Sequence, residues 1–66
     1  MQMPISLQQP VEIFTVKEAA RFLRVSPWKI YDLAQSGSIP HIRVGRSLRF
    51  SRTQLEDWMR HGGSND

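Results

Sequence analysis

The chain has 66 residues, 39% hydrophobic and 23% charged, with a formal net charge of +3 and a pI near 10.2. That is one domain at most, and a domain this short hides only roughly 60% of the surface its unfolded chain exposes. There is no cysteine, which excludes a disulfide framework and thiolate metal sites, and His41 and His61 are too few for a zinc site of three or four ligands.

The basic balance points to a polyanion as partner, nucleic acid before a membrane surface. No apolar run approaches the roughly 20 residues of a membrane helix, so no membrane partner is expected. Met1–Pro10 has neither a basic n-region nor an apolar h-region. No export signal is therefore expected, and the expected location is cytoplasmic.

In chain order, residues 1–12 carry two prolines and three glutamines without apolar period, which suggests a flexible N-terminal arm. Ile5, Leu7 and Val11 offer it some purchase on the body. Thr15-Val-Lys-Glu18 has the pattern of a capping box, in which serine or threonine and an acid three residues on exchange hydrogen bonds. Behind it Val16, Ala19, Ala20 and Leu23 recur at the spacing of one helical face. Lys17, Arg21 and Arg24 fall on another side, and Phe22 on the flank.

A break at Arg24-Val25 follows, with Val25 expected to tuck inside. Ser26-Pro27 opens a second helix: serine caps it, and proline sits where a missing N–H costs nothing. Ile30, Leu33 and Ala34 are its expected buried face, and Gly37 its stop. Two short helices across a tight turn make a helix-turn-helix.

Ile39-Pro40 continues extended. His41-Ile-Arg-Val44 and Leu48-Arg-Phe50 then alternate polar and apolar around Gly45-Arg-Ser47, the pattern of a β-hairpin. On this reading Ile42, Val44, Leu48 and Phe50 face inward, Arg43 and Arg49 outward, and Arg46 occupies the tip. Ser51-Arg-Thr-Gln54 reads as a second capping box for a third helix with Leu55, Trp58 and Met59 on its stripe. The fold class expected is mainly α with a small β-hairpin: a winged helix-turn-helix in the order helix, turn, helix, hairpin wing, helix. It should occupy residues 13–61, with 62–66 a flexible tail.

Charge placement carries the chemistry. No acidic residue lies between Asp32 and Glu56, and Arg43, Arg46, Arg49 and Arg52 recur there every three residues. A single-sign run repels itself, which argues against a merely solvated hairpin. Arginines on a two-stranded ribbon can follow a phosphate backbone or enter a narrow minor groove. The 3.6-residue period puts Trp28, Tyr31, Asp32 and Gln35 outward on the second helix, with Lys29 on its margin. Gln35 suits adenine, and Lys29 suits phosphate or guanine. Asp32 can accept from cytosine or stand as an ordinary exposed acid. Trp28 can meet DNA or fold back onto the wing, and Tyr31 can reach a phosphate. Lys17, Arg21 and Arg52 are further candidates for backbone contact. No catalytic constellation stands out: Glu56 and Asp57 are adjacent and point in different directions, so no enzyme and no cofactor are expected.

Thr15-Val-Lys-Glu-Ala-Ala20, Leu23-Arg-Val-Ser26, Ser36-Gly-Ser-Ile-Pro40, Arg43-Val-Gly-Arg46, Leu48-Arg-Phe50 and Leu55-Glu-Asp-Trp58 together resemble the excisionase-type helix-turn-helix domain, a winged-helix branch similar to the DNA-binding part of MerR regulators. The resemblance covers about residues 14–60. It implies double-stranded DNA binding through the second helix in the major groove and the wing alongside, with Ser26, Trp28, Lys29 and Asp32 facing DNA on the helix and Arg43, Arg46 and Arg49 on the wing. It further implies a role in steering an integrase toward excision of a prophage or mobile element, or in transcriptional control. The expected state is a monomer in solution that assembles cooperatively or as a weak dimer on DNA. Rivals are a protein-interaction module presenting Trp28 and Tyr31, and a single-strand or RNA binder stacking on them.

Overall fold

Thr15 starts the first helix as its residue type demands. In the computed structural model, which describes residues 12–63, its Oγ1 accepts from the Glu18 N–H at 3.2 Å, and Glu18 Oε1 accepts from the Thr15 N–H at 2.9 Å. The helix, α1 (Val16–Leu23), buries Val16, Ala19 and Ala20. It ends in a left-handed residue, Arg24 at φ 62° and ψ 43°. The Val25 N–H returns to the Ala20 carbonyl at 3.0 Å and the Arg24 N–H to Arg21 at 3.2 Å, the pairing of a Schellman stop. Val25 is not tucked in; it is 40% exposed.

Ser26 caps the second helix, α2 (Pro27–Gln35), with its Oγ accepting from the Lys29 N–H at 3.2 Å. Ile30 and Ala34 are buried against α1, and Leu33 is half-buried. Gly37 takes φ 75°, and the Ser38 N–H reaches back to the Leu33 carbonyl at 2.8 Å, closing the end as expected. Ile39 then plunges into the core, a burial that its extended reading did not anticipate.

Three antiparallel strands form one sheet in the order β1-β3-β2: β1 (Ile13–Phe14), β2 (Ile42–Val44) and β3 (Ser47–Ser51). Two residues were too little pattern to reveal β1 from sequence. It pairs Ile13 with Ser51 and Phe14 with Phe50. The Phe14 ring lies 5.2 Å from Phe22, the flank residue of α1.

The hairpin departs from expectation by one residue, with large effect. Its loop is Gly45-Arg46 alone; Ser47 belongs to β3 and pairs with Val44. Gly45 has φ 61° while Arg46 stays at negative φ, the pattern of a two-residue type II′ turn whose twist matches the strands. A one-residue change in register sends a strand's side chains to the other face. Arg43 therefore stands opposite Leu48, and Ile42 opposite Arg49. Leu48 and Phe50 are buried as expected, but Ile42 and Val44 are 41% and 59% exposed on the outer face.

Ser51 closes β3 and caps α3 (Arg52–Arg60) through its Oγ and the Gln54 N–H at 3.4 Å. Among the described residues only this half of the expected capping box is made. Leu55 is buried and Trp58 half-buried, its Nε1–H donating to the Ser38 carbonyl at 2.9 Å; Met59 is exposed. Gly62 and Gly63, expected in a loose tail, turn the chain back at positive φ, and the Gly63 N–H donates to the Trp58 carbonyl at 3.0 Å. Glu12, expected in the arm, is docked: its carbonyl accepts from the Arg52 N–H and its carboxylate pairs with the Arg52 guanidinium. The rest of the expected arm, residues 1–11, and positions 64–66 lie outside the described residues.

The core is Val16, Ala19, Ala20, Ile30, Ala34, Ile39, Leu48, Phe50 and Leu55, drawn from all three helices, β3 and the α2 exit. The result is a winged helix-turn-helix. Among the described residues no helix is long and apolar enough to cross a membrane.

Candidate nucleic-acid interface

The first turn of α1, one side of α2 and the hairpin enclose a cleft of about 640 Å³. Lys17, Tyr31, Gln35, Arg43, Arg46 and Arg49 line it. Helix geometry explains the α2 contribution: Tyr31 and Gln35 are four residues apart and stack one above the other on one face. The hairpin contributes its tip, where Gly45 lets the chain reverse and leaves Arg46 projecting.

The cleft is electropositive by construction. Lys17, Arg43 and Arg46 are exposed and make no ion pair among the described residues. Arg49 is half-buried and donates to the Leu48 carbonyl at 2.8 Å, which steadies its guanidinium along the wing. The first turn of α1 adds no net positive charge from its backbone, because Thr15 Oγ1 accepts from the Glu18 N–H and the Glu18 carboxylate sits at the same helix start.

The remaining candidates divide. Trp28 lies on α2 three residues before Tyr31; they are 71% and 54% exposed. Trp28 does not fold onto the wing. Asp32 is exposed on the same outer side and has no ion pair among the described residues. Ser26 is exposed; its Oγ accepts from the Lys29 N–H, and its own O–H keeps the capacity to donate. Lys29 points elsewhere, into a second cleft of about 570 Å³ that it shares with Leu23, Val25, Leu33, Trp58 and Met59. Positions 29 and 33 fall roughly opposite 31 and 35 on the helical wheel, so the two clefts flank α2 from opposite sides. Arg21, one turn along from Lys17, is exposed outside the first cleft.

Arg52 is exposed but lies outside this cleft and is paired. It pairs with Glu12 at 2.9 Å and Glu56 at 3.2 Å and lies 5.5 Å from the Phe22 ring centre. Its hydrogen bond to Glu12, and then that to Glu56, hold its pKa above the ordinary arginine value. The fourth arginine of the run thus ties Glu12, the residue before β1, to α3, and the other three line the cleft.

This geometry defines a class: a helix-turn-helix whose second helix and basic wing share one concave, cationic face. A family model described as "Helix-turn-helix domain" matches residues 13–63, and the chain belongs to that family. Within it, the chain is an excisionase-type helix-turn-helix DNA-binding domain. It is 36% identical over 52 residues to a "Putative DNA-binding protein" of Mycobacterium tuberculosis, covering 79% of this chain and 67% of that protein. It is 41% identical over 46 residues to a "Probable excisionase" of Saccharopolyspora erythraea, covering 70% of this chain and 47% of that protein. An "Uncharacterized protein" of Bacillus subtilis shares 38% identity over 45 residues, only 15% of its own length. No solved structure matches.

Proposed function

We propose that this chain binds double-stranded DNA sequence-specifically and acts as an excisionase, setting the direction of an integrase toward excision of a prophage or mobile element. The observation that carries the DNA reading is the cleft in which Lys17, Arg43, Arg46 and Arg49 converge beside the exposed face of α2. α2 enters the major groove, and the wing follows the neighbouring backbone or minor groove. The similarity to the Saccharopolyspora protein supports the excision role. A single small module covers about 600–1,000 Å² of its own surface on DNA, so a monomer gains useful occupancy through cooperative neighbours or weak dimers on the site.

Fluorescence anisotropy on random duplex across a salt series tests the DNA reading. Four phosphate contacts give a log–log slope of about −3.6, so a fourfold rise in salt weakens binding roughly 3.5-fold per contact. Arg46→Ala flattens the slope by about 0.9. Absent binding at low salt, or an unchanged slope, refutes it. The excision role is tested by supplying the chain to an integrase acting on a paired-attachment-site substrate. Excision that ignores the chain, with duplex binding intact, moves the reading to a small transcriptional regulator.

A further inference from the structure

We propose that α2 reads thymine: the indole of Trp28 and the ring of Tyr31 pack on thymine C5-methyl groups in the major groove, and Gln35 fixes an adenine at the other end of the same short A·T-rich run. This inference rests on the duplex-binding reading above.

Two large rings stand in water on one face of a short helix, Trp28 at 71% and Tyr31 at 54% exposure. Neither has a ring partner or a hydrogen bond among the described residues. Neither belongs to the core, which α2 supplies with Ile30 and Ala34. The face they occupy borders the cationic cleft, since Tyr31 and Gln35 both line it. Phosphates reward Lys17 and the wing arginines but offer nothing to an apolar ring. Base edges in the major groove are almost wholly hydrogen-bond donors and acceptors. Their distinctive apolar group is the thymine methyl. Burying that methyl against a ring gains free energy that no other base returns.

Gln35 completes the set. Its amide presents one donor and one acceptor, the pair that adenine N7 and N6 complement. At about 1.5 Å rise per residue, Trp28 and Tyr31 are about 4.5 Å apart along the helix and Gln35 about 6 Å further. The total of about 10 Å matches roughly three base steps of 3.4 Å. The readout therefore spans about four consecutive base pairs, with thymine methyls toward the Trp28 end and adenine toward the Gln35 end.

The test selects binding sites for the 66-residue chain from a random duplex library, then replaces each thymine of the selected site with deoxyuridine, which lacks only the methyl. The expected site holds an A·T-rich run, and each critical methyl removed weakens binding about fourfold. In Trp28→Gln, whose exposed position leaves thermal melting unchanged, the penalty at one thymine disappears while the salt slope stays. Selected sites without A·T pairs, no consensus at all, full affinity on deoxyuridine DNA, or an unaltered penalty in Trp28→Gln each overturn the inference while salt-steep duplex binding leaves the DNA reading standing. No duplex binding at low salt overturns both.

Discussion

Replacing Arg24 with glycine should make this protein more stable. Arg24 holds φ 62° and ψ 43° between the two helices of the motif, a left-handed conformation in which a Cβ crowds the following carbonyl. That crowding costs an L-residue roughly 1–2 kcal/mol, and glycine escapes it. Glycine's looser unfolded chain takes back about 0.4–1 kcal/mol. The Arg24 side chain is exposed and makes no hydrogen bond or ion pair among the described residues, so its loss removes nothing from the folded state. The two backbone bonds that close the turn, Arg24 N–H to Arg21 and Val25 N–H to Ala20, need no side chain. Arg24→Ala is the control: it deletes the same charge and the same stem yet retains the Cβ. The glycine variant should exceed the alanine variant by roughly 0.5–1 kcal/mol, which in a domain of this size is about 2–8 °C in Tm. Circular-dichroism melts of the two variants side by side decide the matter. Equal melting points, or alanine above glycine, would show that the turn carries no left-handed strain and would refute the reasoning.

Ile42→Thr and Val44→Thr should each change stability by less than about 0.5 kcal/mol in urea titration, because both side chains lie on the outer face of the sheet, whereas Leu48→Ala should cost about 2–4 kcal/mol. Trp58→Phe should cost about 1 kcal/mol by the same assay, since it deletes the indole N–H bond to the Ser38 carbonyl. Lys17→Ala should flatten the salt dependence of duplex binding by about 0.9, while Lys29→Ala should leave it unchanged, because only Lys17 lines the cationic cleft.

The helices were legible because each is announced by local chemistry. Thr15, Ser26 and Ser51 cap, Pro27 opens and Gly37 stops, and none of these roles needs a distant residue. The sheet was less so. Alternation across residues 41–50 revealed two strands, but their register depends on whether the loop holds two residues or three, and Gly45-Arg46-Ser47 permits both readings. The difference reversed the faces of Ile42, Val44 and Arg43 while leaving Leu48 and Phe50 inside. β1 was invisible because two residues show no period; it exists through its pairing with β3. For the cleft, the arginine run was plain from spacing alone. That Arg52 leaves it for Glu12, forty residues away, and that Lys29 turns to the opposite side, are tertiary facts.

The joint at Ser51 has a mechanical consequence. One residue both ends β3 and caps α3, so strand and helix share no slack between them. At its far end α3 is pinned by Trp58 to Ser38, just beyond the exit of α2. Wing, third helix and second helix thus close a loop of rigid links, and the distance between Arg46 at the tip and Tyr31 on α2 is set by the fold. Such a frame acts as a caliper. On the proposed docking, such a frame would favour duplexes whose groove spacing already fits its jaws, and would make DNA stiffness part of what is recognised.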